Sequence, residues 1–218
     1  GAKTLARITT IINQKGGVGK TTTAHALATG LNHNGYKALI IDTDPQGNIS
    51  YVMRADMTRA GLYEAMRGEI SAAEAIQQTE QGDIMPSSLY LAGADLEFTQ
   101  TGREYLLREV LEGIASAYTH IIIDSPPALG IMTVNALTAS SDIVIPVGAD
   151  IFSLQGLQQL LLTVSKVKKY SNPALDMAGL LITRKGTRAV ATRQLIEAIE
   201  GKPGRYALTF TGQSSARV

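Results

Sequence analysis

The chain has 218 residues, is 44% hydrophobic and 18% charged, carries a net charge of +1 and contains no cysteine. That length suits one α/β domain with a sizeable core, and the missing cysteines exclude disulfides, thiolate zinc sites and cysteine-held iron–sulfur clusters. No stretch of eighteen apolar residues marks a membrane span. The start does not read as a signal peptide, because the apolar run Ile8–Ile12 is short and broken by threonines. A cytoplasmic location is therefore the default expectation.

In chain order, Arg7–Asn13 reads as a buried strand. Thr21–Asn34 then sets Ala24, Leu27, Ala28 and Leu31 at helical spacing, with Gly35 as its stop. Ala38–Asp42 is a second apolar strand. Ser71 and Glu74 have capping-box spacing and open a short helix. Ile84–Pro86 reads as a short strand. Gly102–Tyr118 is predicted as one long amphipathic helix, with Leu106, Val110, Ile114 and Ala117 on one face.

His120–Asp124 and Asp142–Val147 are again short and apolar on both faces, as strands of a helix-covered parallel sheet are. Ser153–Tyr170 is helical in period, Ala178–Thr183 a strand, Ala189–Glu200 a helix and Tyr206–Thr211 a last strand. Alternating strands and helices predict an α/β fold, a mostly parallel twisted sheet flanked by helices. Ligands of such sheets sit beyond the carboxyl ends of the strands.

Charge is uneven along the chain. Between Leu160 and Arg205 nine basic residues face three acidic ones, a surplus of six, and the remainder is acidic by five. Such an end reads either as a basic face for polyanions or as a solvated surface. His25, His33 and His120 have no partners at metal-ligand spacing and read as core or surface histidines.

Three motifs lie at strand ends. The first, Asn13-Gln14-Lys15-Gly16-Gly17-Val18-Gly19-Lys20-Thr21-Thr22, joins the first strand to the first helix. Its glycines let several backbone N–H groups converge on an anion, and the helix N-terminus adds partial positive charge there. Lys20 is placed for β- and γ-phosphates and the Thr21 hydroxyl for magnesium. Gln14 stands where the common phosphate-loop pattern has its first glycine. The second motif, Asp42-Thr43-Asp44-Pro45-Gln46-Gly47-Asn48, puts two carboxylates at i and i+2. On an extended segment they point to one side, one for a water and one for a magnesium shell. By itself the pattern reads equally as a capped turn. The third, His120–Asp124 followed by Ser125-Pro126-Pro127, has Walker B form and delivers Asp124 toward a metal.

Lys15-Gly-Gly-Val-Gly-Lys-Thr-Thr22 resembles the deviant Walker A motif of the ParA/MinD ATPases, and Asp42-Thr-Asp-Pro-Gln-Gly-Asn48 is similar to the switch of its ParA/Soj branch. The resemblance runs over roughly residues 6 to 185. It implies a P-loop ATPase fold over the whole chain, residues 1–218, with a C-terminal end shorter than the family's. It implies ATP and Mg2+ as cofactors, with residues 15–22 on the nucleotide and Thr21, Asp42 and Asp124 at the metal. Asp44 would position the attacking water. Lys15 would reach the nucleotide of a second subunit in an ATP-dependent homodimer. The resemblance further implies non-specific DNA binding, with Arg184, Lys185, Arg188 and Arg193 as candidate contacts. It also implies slow hydrolysis stimulated by a ParB-like partner, nucleoid association in the ATP state, a role in DNA partitioning and no membrane partner. A non-DNA cargo and a small-molecule enzyme of the same superfamily remain the alternatives.

Overall fold

The computed structural model describes residues 5–148, 152–184 and 206–209. Eight strands form one sheet: β1 (Arg7–Ile11), β2 (Ala38–Asp42), β3 (Gln77–Thr79), β4 (Gly82–Met85), β5 (His120–Asp124), β6 (Asp142–Gly148), β7 (Asp176–Arg184) and β8 (Tyr206–Thr209). Their spatial order is β3-β4-β2-β5-β1-β6-β7-β8. Every neighbouring pair is parallel except β3 with β4. The central strands are apolar on both faces because both faces are covered: β2 is buried at every position.

The helices are α1 (Lys20–His33), α2 (Asn48–Val52), α3 (Leu62–Met66), α4 (Ala72–Ala75), α5 (Ala94–Glu97), α6 (Leu106–Glu112), α7 (Ile131–Ala139) and α8 (Phe152–Tyr170). Side-chain alternation along the strands divides the core. On one face Ile11, Ile40, Ile84 and Ile122 pack with Ala24 and Ala28 of α1 and with Ile49 and Met53 at α2. On the other, Leu39, Ile41, Ile121 and Ile123 pack with Leu62, Phe98, Leu107 and Ala136 of the later helices. Ile143, Ile145 and Val147 of β6 pack with Leu157, Leu160 and Val164 of α8.

The predicted capping box is present. Ser71 Oγ accepts from Glu74 N at 3.3 Å, and Glu74 Oε2 accepts from Ser71 N at 2.8 Å. The predicted long helix Gly102–Tyr118 is not. A 3-10 turn (Arg103–Tyr105) leads into the seven-residue α6, which ends at Gly113. The Leu111 carbonyl there accepts from both Ile114 N at 3.1 Å and Ala115 N at 2.9 Å, so the chain tightens into turns. A glycine inside a helix costs about 1 kcal/mol relative to alanine, and the helix stops where that cost falls. The buried face is also not the predicted one: Leu107, Leu111 and Ile114 enter the core, Leu106 and Val110 are only partly buried against it, and Ala117 is exposed. The expected strand Tyr206–Thr211 is described over Tyr206–Thr209, and the expected helix Ala189–Glu200 lies outside the described residues.

Candidate nucleotide site

All three motifs fall at the carboxyl edge of adjacent central strands, β1, β2 and β5. The phosphate loop leaves β1 and enters α1 through Gly17 and Gly19, both left-handed with φ of 72° and 88°. A side chain at either position would be strained, which explains glycine there. No side chain caps α1, so its first N–H groups are available to an anion. The loop is braced from below by Asn13, which is buried. Its Oδ1 accepts from Lys15 N at 3.0 Å and its Nδ2 donates to the Pro146 carbonyl of β6 at 2.5 Å. Sequence reading placed Asn13 in the motif without this role.

Lys20 is 8% exposed, and its Nζ donates to the Lys15 carbonyl at 3.2 Å. Burial lowers its pKa, opposed by the nearby charges of Asp124 and Asp44. The sequence expectation assigns this partly buried cation to phosphate oxygens. Val18 is buried, Gly16 and Thr22 are exposed, and Lys15 is half-buried.

Thr21 Oγ1 donates to Asp124 Oδ2 at 2.8 Å. The other oxygen, Asp124 Oδ1, is buried and has no hydrogen-bond partner, alone in this among the described side chains. Burial pushes Asp124 up to about 6, against the Thr21 hydrogen bond and the charge of Lys20. An orphaned buried carboxylate oxygen costs on the order of 1–3 kcal/mol or more, and it fits a divalent cation held through water beside the Thr21 hydroxyl. The donor set is oxygen only, as magnesium requires. Among the described residues no three His, Cys, Asp or Glu side chains are placed to hold a metal ion together, so the phosphates themselves would complete the shell.

Asp42 is placed differently from Asp124. It is fully buried, and both its oxygens are taken: Oδ1 accepts from Asp44 N at 3.1 Å, Oδ2 from Ser50 N at 3.0 Å and Ser50 Oγ at 2.6 Å. Burial pushes it up to about 7, with the Ser50 hydrogen bonds opposing. The segment from Asp42 to Asp44, expected to be extended, is not extended throughout. β2 ends at Asp42, and the Asp44 amide folds back onto its carboxylate, so the chain turns before the second aspartate. Asp44 is half-buried; its own Oδ1 accepts from Gln46 N at 3.0 Å.

Of the basic candidates, Arg184 ends β7, while Lys185, Arg188 and Arg193 lie outside the described residues. Lys166, Lys168 and Lys169 are exposed on α8. A groove of about 630 Å³ opens between α3, α5 and α6, lined by Met66, Ile70, Phe98 and Val110 among others; no motif residue lines it. Among the described residues no helix is long and apolar enough to cross a membrane.

A parallel sheet with a glycine loop running into a helix and a Walker B aspartate beside it defines a P-loop nucleotide-binding protein. The sequence matches the AAA domain family over residues 6–177. It is 39% identical over 205 residues to the chromosome partitioning protein ParA of Caulobacter vibrioides, covering 91% of this chain and 77% of that one. Its fold is similar to that of a plasmid partition protein from Borrelia burgdorferi, with a TM-score of 0.84 and 28% identity over 96% of this chain and 91% of that one. It is also similar to a cobyrinic acid a,c-diamide synthase from Mycobacterium smegmatis with bound ADP and magnesium, with a TM-score of 0.83 and 31% identity over 91% and 82%. The chain belongs to the ParA/Soj-type partitioning ATPases within this AAA domain family.

Proposed function

We propose that this chain is an MgATP-driven switch that dimerises, binds DNA without sequence preference and moves DNA cargo during plasmid or chromosome partitioning. The observation that carries the reading is the pairing of Asp124, with one oxygen on Thr21 and one orphaned, with the buried Lys20 at the mouth of an uncapped helix. ATP phosphates bind the N–H groups of residues 16–22 and the Lys20 ammonium. Thr21 and, through water, Asp124 would hold magnesium, which would supply compensation for phosphate charge. Asp42 supports that site from behind, by fixing Ser50 and the Asp44 backbone. Asp44 orients the attacking water and accepts its proton. Lys15 reaches the partner subunit's nucleotide and offsets the charge that develops on the leaving phosphates.

The closed dimer presents the basic end of the chain, with Arg184, Lys185, Arg188 and Arg193 as the contacts, to DNA phosphates. Hydrolysis is slow until a ParB-like protein accelerates it, and it opens the dimer. The protein is cytoplasmic and sits on the nucleoid in its ATP state. Mass by light scattering tests the switch: a dimer with MgATP, a monomer with MgADP, and a monomer in both for Lys15→Ala. A Lys15→Ala dimer with MgATP would remove the trans role of that lysine.

The likeness to a diamide synthase favours a second reading, an ATP-consuming enzyme acting on a small carboxylate. That reading requires rapid turnover with a small-molecule acceptor and none of the DNA dependence. The same framework would also serve a ParA-like ATPase that positions a non-DNA cargo along DNA.

A further inference from the structure

Asp44 is held by its backbone, and the group that holds it comes from a distant strand. The Ser87 hydroxyl, just past the end of β4, donates to the Asp44 carbonyl at 2.5 Å. Ser87 N donates to Ser50 Oγ at 3.1 Å, and Ser50 Oγ donates to Asp42 Oδ2 at 2.6 Å. Asp42 Oδ1 takes the Asp44 amide at 3.1 Å and closes the ring. Asp42, Ser50 and Ser87 are 0%, 0% and 4% exposed. Four residues from β2, its following turn, α2 and the end of β4 thus form one closed cycle of hydrogen bonds, buried except at Asp44. Ser87 is itself anchored, since the preceding Pro86 carbonyl accepts from Leu62 N of α3 at 3.1 Å.

We infer that Ser87 is a positioning residue for hydrolysis: its hydroxyl fixes the Asp44 carbonyl and thereby aims the Asp44 carboxylate at the attacking water. This rests on the reading of Asp44 as the water-orienting group. The rest of the Asp44 backbone is held by the Asp42 contact and by Gly47 N, which donates to the same carbonyl at 2.9 Å. Removing the Ser87 hydroxyl therefore loosens the segment without releasing it. A misaimed base slows the chemical step and leaves ground-state nucleotide binding alone, because the Ser87 hydrogen bonds go to Asp44 and Ser50 and not to the phosphate loop or Asp124. Ser50 is the less suitable residue to probe, as it also donates two hydrogen bonds to the buried Asp42.

The test is single-turnover and steady-state ATP hydrolysis by the full chain, with MgADP affinity and melting midpoint as parallel readouts. The variants are Ser87→Ala, which deletes only the hydroxyl, Ser87→Thr, which keeps it, and Asp44→Ala as reference. Ser87→Ala is expected to lower kcat about fivefold to tenfold, the worth of one hydrogen bond. KM and MgADP affinity stay within about twofold, and Ser87→Thr restores most of the rate. Wild-type kcat in Ser87→Ala, or a parallel loss of kcat and nucleotide affinity, overturns the inference, as does a Ser87→Thr enzyme as slow as Ser87→Ala. Normal turnover by Asp44→Ala would sink the role of Asp44 itself, a separate outcome from a silent Ser87→Ala beside an inactive Asp44→Ala.

Discussion

Asp42 and Asp124 are register partners at the ends of neighbouring parallel strands β2 and β5, yet their carboxylates face different surroundings. Asp42 accepts three protein hydrogen bonds, while Asp124 shares one oxygen with Thr21 and leaves the other bare. Two aspartates that look equivalent in sequence thus differ: Asp42 is fastened by protein hydrogen bonds, and Asp124 keeps one buried oxygen without a partner.

The difference predicts how Asp124 responds to substitution. Asp124→Asn should retain the fold, lose the magnesium dependence of nucleotide binding, and lower hydrolysis by about 100-fold or more. Titration calorimetry of ADP with and without magnesium checks it. Lys20→Ala should lose ATP binding altogether; normal affinity in that variant would remove the phosphate-loop assignment.

Asp42→Asn should instead act on stability. An amide in place of the carboxylate turns one acceptor into a donor facing either Asp44 N or the Ser50 pair. The expected loss is about 1–3 kcal/mol, read by urea denaturation. A variant as stable as the parent would mean that the buried ring contributes little.

Stability of the nucleotide-free protein should fall as pH rises from about 4 to about 7. Burial raises Asp42 from 3.8 to about 7 and Asp124 from 3.8 to about 6. Across that window the folded state binds more protons than the unfolded state, so deprotonation favours unfolding. The contribution is full below the unfolded pKa and is lost as pH passes the folded values. Magnesium favours ionised Asp124, so melting midpoints measured with magnesium should fall less steeply. An identical slope with and without magnesium would argue against a cation at Asp124.

Asp44→Ala should keep MgATP-driven dimerisation and lose turnover. Phosphate release checks the second half and light scattering the first. Unchanged turnover would take Asp44 out of the chemistry.

Much of this was legible in sequence because the signals are local. β2 and β5 were bounded to the residue by unbroken apolar runs ending in aspartate. The phosphate loop declared itself through glycine, lysine and threonine at fixed spacing. What sequence hid was long-range. Ser50 and Ser87 meet across 37 positions, and neither sits in a recognised motif. β4 was read in part, as Ile84–Pro86, but its hairpin partner β3 escaped because Gln77-Gln78-Thr79 has no apolar alternation; the buried residue of β3 is Gln77, whose amide Oε1 and Nε2 pair with the Asp56 backbone at 2.8 and 2.9 Å. The helix predicted through Gly113 failed because apolar period outweighed the glycine in the reading, while the backbone obeyed the glycine.

The measurement that bears most directly on the switch is fluorescence anisotropy of a random-sequence DNA duplex titrated with the protein, run with MgATP, MgADP and no nucleotide over a salt series. Binding is expected with MgATP alone, with log affinity falling linearly in log salt as phosphate contacts release counterions. Binding in no nucleotide state, or equal binding in all three, would contradict it.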